Sequence, residues 1–182
     1  EILIKLWKTK KINNFVLITN SKLFKKYLTK RKIKLPIKTI KKYNNDKFSK
    51  FNNRNFLLFD IKAKNDYHNT YNSLLQSFNL NINKLCEGII TLPLDKSIIS
   101  KKINNNFLGQ TEFFEKLNNK KFANMIFYSK KLIVSPLTTH ISINNISDKL
   151  KKKNFISNKI KELISTLKND FTIKNPKIAL AG

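Results

Sequence analysis

The sequence predicts an α/β fold, with α/β/α layers around a mostly parallel sheet. Phe15-Val16-Leu17-Ile18 and Phe56-Leu57-Leu58-Phe59 are short unbroken apolar runs, the pattern of strands buried on both faces. They alternate with segments whose apolar residues recur three and four apart, such as Tyr71, Leu74, Leu75 and Phe78. Strands alternating with helices require crossover connections, and these build parallel sheets. The 182 residues, 41% of them hydrophobic, suffice for one domain with a core or for parts of two.

Taken in order, Ile2, Leu3, Leu6 and Trp7 recur with helical spacing and lead into the Phe15–Ile18 strand. Asn20 or Ser21 can cap a helix through Leu23, Phe24, Tyr27 and Leu28, ending near Lys30-Arg31-Lys32, where basic side chains suit the helix dipole. Pro36 to Ile40 reads as a second strand, Asn44 to Arg54 as a polar connection, and Phe56–Phe59 as a third strand. Tyr67 to Leu80 is expected to be helical, and Gly88 to Leu92 to be a strand closed by Pro93. A short helix around Ser97 to Ile103, an Asn-rich turn and a helix from Thr111 to Leu117 follow. Met125–Tyr128 and Leu132–Val134 are close enough to form a hairpin. Ser157 to Asp170 is the clearest helix, with Ile156, Ile160, Leu163, Ile164, Leu167 and Phe171 in one stripe. Ile178-Ala179-Leu180 reads as a buried strand, and Lys151-Lys152-Lys153 as a solvated segment.

The 37 Lys and Arg against 11 Asp and Glu give a formal charge of +26. Such a surplus can mark a polyanionic partner. Arg, the side chain that reads phosphate and guanine bidentately, occurs only at Arg31 and Arg54, and the lysines are spread along the whole chain. Lys comes here with abundant Asn, Ile and Phe, a bias that AT-rich codons produce without selection for binding. A nucleic-acid-binding module is therefore the weaker reading. Cys86 is the one cysteine, so the chain forms no internal disulfide, which fits a cytoplasmic setting. No apolar run reaches the length of a membrane-spanning helix. The chain begins at Glu1 and stops after an apolar run, and so reads as a fragment of a longer protein.

Three polar clusters sit at the ends of apolar segments, where α/β enzymes place their chemistry: Thr91-Leu92-Pro93-Leu94-Asp95-Lys96, Gly109-Gln110-Thr111-Glu112-Phe113-Phe114 and Pro136-Leu137-Thr138-Thr139-His140. Gly109 lets the backbone approach a ligand, Thr111 can cap the following helix, and the amides of a first turn suit a phosphate. Taken locally, an ordinary capped helix is the favoured explanation of these residues. Asp95 and Lys96 are either a reactive pair or a polar pair opening a helix. His140 lies at the end of an apolar run, at the expected carboxyl edge of the sheet, but one His makes no metal site. His68 falls in a polar helical stretch and is expected to face solvent. The chain carries no Gly-rich dinucleotide fingerprint and no phosphate-binding loop motif.

In combination these segments resemble the 4-hydroxythreonine-4-phosphate dehydrogenase family of pyridoxal phosphate biosynthesis. Glu87 to Lys96 is similar to its strand ending in Thr-x-Pro-x-x-Lys, Asn106 to Phe113 to its Phe-x-Gly-His-Thr-Glu segment, and Leu137 to Ile141 to its Thr-Thr-His segment. Glu1 to Trp7 resembles the helix after its N-terminal glycine-rich turn, and Phe171 to Ala179 the strand before a later loop.

The resemblance implies a two-domain architecture like that of isocitrate and isopropylmalate dehydrogenases, divided here into 1–105 and 106–182, with the C-terminal part missing. It further implies NAD- or NADP-dependent oxidation of 4-phosphohydroxy-L-threonine, followed by decarboxylation to 3-amino-2-oxopropyl phosphate. A divalent metal (Zn, Mg or Co) and a homodimer with a shared active site are implied as well. Gln110 and Thr111 would contact the phosphorylated substrate and His140 would ligate the metal, with the remaining metal ligands and most of the cofactor site beyond Gly182. Gln110 replaces the family histidine, and an amide donates hydrogen bonds but carries no titratable proton. That departure leaves room for a related dehydrogenase of another phosphorylated hydroxy acid.

Overall fold

The computed structural model describes residues 1–42, 54–119, 123–139 and 141–181. The chain divides into two compact units, Glu1–Phe114 and Glu115–Gly182.

The first unit is organised around a parallel three-stranded sheet in the order β1-β3-β2. Its strands are β1 (Leu17–Thr19), β2 (Ile37–Ile40) and β3 (Phe56–Asp60), with Leu17 opposite Leu58 and Ile37 opposite Phe56. β3 is central and carries the longest apolar run, as a strand buried on both faces should. Successive side chains turn to opposite sides. Phe56 meets Ile4 and Leu28 from helices α1 (Ile2–Lys8) and α2 (Ser21–Lys30). Phe59 and Ile61 instead pack with Ile40 and with Leu80 of α3 (Asp66–Ile82). This unit is therefore an α/β/α sandwich, as expected from the sequence. Phe56 and Leu58 are fully enclosed, and the rings of Trp7, Phe15 and Phe24 surround Phe56 at centroid distances of 5.6, 5.4 and 5.8 Å.

A polar seam secures the carboxyl end of β1. Buried Thr19 exchanges hydrogen bonds with Asn69, Asn20 N donates to Asn69 Oδ1 at 2.7 Å, and Asn20 Oδ1 caps α2 by accepting from Leu23 N. Asp60 Oδ1 accepts from Ser21 N at 2.7 Å, and Ser73 Oγ donates to Ile18 O. α3 is thus fixed to the sheet by polar as well as apolar contacts. Beyond the carboxyl ends of β2 and β3 lies a cavity of about 540 Å³, lined in part by Lys41, Asp60 and Lys62, and no described residue of the three clusters lines it.

α4 (Lys96–Lys102) and α5 (Gln110–Leu117) complete this part of the chain. α4 buries Ile99, and α5 is seated through rings: Phe113 lies 5.4 Å from Tyr71 and 5.6 Å from Phe107, while Phe114 stacks on Phe78 at 6.4 Å. Tyr71 and Phe78 lie on the α3 face predicted from spacing.

In the second unit, β4 (Phe127–Tyr128) and β5 (Ile133–Val134) form an antiparallel hairpin, shorter than the expected runs. Ser129 closes it, its N–H donating to Leu132 O and its Oγ accepting from Leu132 N. A 3-10 turn (Ile143–Asn145) leads to α6 (Ile146–Leu150) and α7 (Phe155–Asn169), the helix read most clearly from its stripe. Phe155 and Leu167 are its buried residues. Lys159 Nζ donates to Ala123 O at 2.8 Å, and burial, opposed by the nearby Glu115 carboxylate, pushes this ammonium below its ordinary range.

Two expected strands are absent. Gly88–Leu92 is irregular, with Ile90 92% exposed, and Ile178–Leu180 is irregular, with Leu180 62% exposed. Both runs have strand-like composition, but a strand needs a neighbour to satisfy its backbone, and no described strand pairs with either. The Val134 strand belongs to an antiparallel pair, so the residues after it do not mark the carboxyl edge of a parallel sheet. The polar connection expected from Asn44 lies outside the described residues as far as residue 53, as does His140. No described helix is long and apolar enough to cross a membrane.

Candidate functional site

Two of the three polar clusters come together in the first unit. Asp95 ends the irregular segment and caps α4: its Oδ1 accepts from Ser97 N at 2.9 Å, Ser97 Oγ at 2.7 Å and Ile98 N at 3.2 Å. These bonds, the Ser97 hydroxyl first, hold its carboxyl below the ordinary aspartate range. Of the two sequence readings of Asp95, the helix-opening one describes its contacts.

Lys96 begins α4 and reaches toward α5. A Cβ added to Gly109 would lie 2.8 Å from Glu112 Oε2 and 3.1 Å from Lys96 Nζ, so an ammonium and a carboxylate converge on bare backbone. Gly109 is buried and its φ is not positive. What glycine supplies here is space between two flexible side-chain ends, not a special backbone conformation. Gly109 O accepts from Phe113 N at 3.1 Å, the first bond of α5. The N–H groups of Gln110 and Thr111 precede that bond, in the first turn where helix geometry offers no carbonyl to receive them.

The helix starts one residue earlier than expected, which corrects the role of Thr111. Thr111 stands inside the first turn with its side chain exposed, and Gly109 occupies the capping position. Gln110 is half-buried and its Nε2 donates to Leu92 O at 3.1 Å, joining the two clusters directly. His68 is half-buried as well: its Nδ1 lies 2.9 Å from Asn65 Oδ1 and its ring is 4.9 Å from that of Tyr67. A polar sequence context points His68 to solvent, whereas its position beside the Asn65 cap draws it onto the helix. Sequence reasoning gives Lys96 no chemical role. Its approach to Gly109, thirteen positions along the chain, depends on how α4 and α5 pack and leaves no local signal.

Thr138 and Thr139 lie in irregular chain of the second unit, after β5. Among the described residues there is no group of three or more His, Cys, Asp or Glu able to hold a metal ion.

A family model described as pyridoxal phosphate biosynthetic protein PdxA matches residues 11–182. The chain belongs to the PdxA family. Relatives named 4-hydroxythreonine-4-phosphate dehydrogenase include one from Sulfurihydrogenibium sp., 31% identical over 101 residues that make up 56% of this chain and 31% of the relative. One from Aquifex aeolicus is 39% identical over 69 residues, 38% of this chain and 21% of the relative. One from Wigglesworthia glossinidia brevipalpis is 32% identical over 122 residues, 67% of this chain and 36% of the relative. The chain thus spans about a third or less of the curated PdxA relatives it matches. Those relatives are dehydrogenases by name, and the α/β sandwich with its parallel sheet is consistent with PdxA membership.

Proposed function

We propose that this chain contributes the phosphate-recognising part of a PdxA enzyme that oxidises 4-phosphohydroxy-L-threonine with NAD or NADP, the product decarboxylating to 3-amino-2-oxopropyl phosphate. The observation that carries this reading is the start of α5, within the family match: Gly109 brings bare backbone and the first-turn amides of Gln110 and Thr111 beside the Lys96 ammonium. Such amides and their dipole favour an anion, and a lysine beside them adds a compact positive charge. Thr111 offers a hydroxyl in the same turn, and Gln110, the other expected substrate contact, also donates to Leu92 O. A dianionic phosphate entering here would have to turn the Glu112 carboxylate aside, since like charges repel.

The same reading includes the two-domain architecture divided at 105/106, a homodimer sharing its active site, a cytoplasmic setting, and His140 as one ligand of a divalent metal. A single imidazole does not hold a metal, and the described residues contain no group of three or more His, Cys, Asp or Glu, so they do not fit an ion by themselves. The test is an assay of the full-length gene product with 4-phosphohydroxy-L-threonine, NAD or NADP and Zn, Mg or Co in turn. Formation of the reduced nicotinamide is the expected result, and no turnover with any metal would overturn the assignment.

A second reading, a PdxA-related dehydrogenase acting on another phosphorylated hydroxy acid, is favoured by one observation. Gln110 stands in place of the family histidine and donates to a backbone carbonyl. Under that reading Gln110→His leaves the native reaction unimproved, and a large gain with 4-phosphohydroxy-L-threonine would exclude it.

A further inference from the structure

We infer that Gln110 is a positioning residue, whose amide holds the Glu87–Leu94 segment against the start of α5 and thereby sets where Lys96 stands. The inference rests on the proposed phosphate role of the α5 start. Among the described residues, the Gln110 Nε2 to Leu92 O bond of 3.1 Å is the only hydrogen bond that reaches any residue from Glu87 to Leu94. That segment forms no strand, and its Ile90 and Leu92 side chains are 92% and 54% exposed. It therefore has little packing and no ladder to fix it. Its far end is anchored, because Asp95 caps α4 immediately before Lys96.

One tether at Leu92 and one cap at Asp95 bracket Pro93 and Leu94, so the direction in which the chain enters α4 depends on both. A primary amide suits this role, because one of its two N–H groups is spent on Leu92 O and it carries no charge at any ordinary pH. The substitution that separates this chain from the family pattern thus keeps a donor while removing a titratable ring. On this inference the effect of Gln110 on phosphate binding runs through Leu92 and Lys96.

The test compares the full chain with Gln110→Met, which keeps length but removes the donor, with Gln110→Glu, which places a carboxylate against a carbonyl, and with Gln110→His, which restores an N–H. NMR would follow the Leu92 carbonyl shift and the heteronuclear NOE of Ile90, Thr91, Leu92 and Leu94, while titration with inorganic phosphate and with 4-phosphohydroxy-L-threonine would follow affinity. In the Met and Glu variants the Leu92 carbonyl should shift, the NOEs should fall at these residues and not in β3, and phosphate affinity should drop by about fivefold, the scale of one hydrogen bond. Gln110→His should return all three toward the parent values. Lost affinity with an unchanged segment would overturn the inference and make Gln110 a direct contact, as would an unchanged segment with unchanged affinity. A loosened segment in a chain that binds no phosphate even unaltered would confirm the tether and refute the phosphate reading on which its function rests.

Discussion

At Gly109 the proposed phosphate role rests on a missing side chain. The space its Cβ would fill is bounded by Glu112 Oε2 and Lys96 Nζ, both ends of flexible side chains that can swing away. Gly109→Ala should therefore change the unfolding free energy by less than about 1 kcal/mol, the usual scale where the backbone conformation is compatible. Phosphate affinity should fall about tenfold, equivalent to ~1.4 kcal/mol, because the methyl separates the ammonium from the amides. Urea titration and calorimetric phosphate binding check the two halves. Asp95 has a pH signature. Its folded-state carboxyl is held below its ordinary value, so its contribution to the α4 cap is complete above about pH 4 and is lost as pH falls through the lower folded value. The amide shifts of Ser97 and Ile98 should follow that titration in the parent. Asp95→Asn, which keeps the acceptor, should show no such titration. Residue identities tell which groups could do chemistry, but not their partners. Gln110 is legible as an anomaly, while its bond to Leu92 depends on a fold that brings positions eighteen apart together.

Among the elements, β3 shows how far pattern can be trusted. Phe56 to Phe59 is apolar throughout, and the strand is central, with Phe56 and Leu58 fully enclosed. Phe56→Ala should cost about 3–5 kcal/mol, the range for emptying a packed aromatic site, measurable as a lower denaturant midpoint with an unchanged slope. Helices α3 and α7 are equally legible, because a stripe with period near 3.6 survives over fifteen residues or more. Gly88–Leu92 and Ile178–Leu180 are not. Composition reports that a run would accept burial, whereas pairing depends on another segment being alongside. The start of α5 differs by one residue: Thr111 is a good cap in isolation, but it stands inside the first turn of a helix that begins at Gln110.

For the molecule as a whole, the charge of +26 acts on every anion that approaches. At physiological ionic strength fields are screened beyond about 8 Å, so attraction that is merely diffuse fades with salt while a bound phosphate in contact with amides is retained. Duplex DNA should accordingly dissociate as salt rises toward about 0.15 M. Binding of 4-phosphohydroxy-L-threonine should persist, and parallel titrations at two salt concentrations would show it. DNA binding that survived while the small phosphate was lost would reverse the ranking of partners. One last consequence belongs to α3. Tyr71 and Phe78 are seven positions apart, about 10.5 Å along a helix, and they seat the adjacent rings of Phe113 and Phe114. The helix thus works as a ruler whose graduations are two turns long. Inserting or deleting one residue between those marks would rotate one of them by roughly 100° off the line, so the packing of both rings depends on the length of this stretch as much as on the side chains themselves.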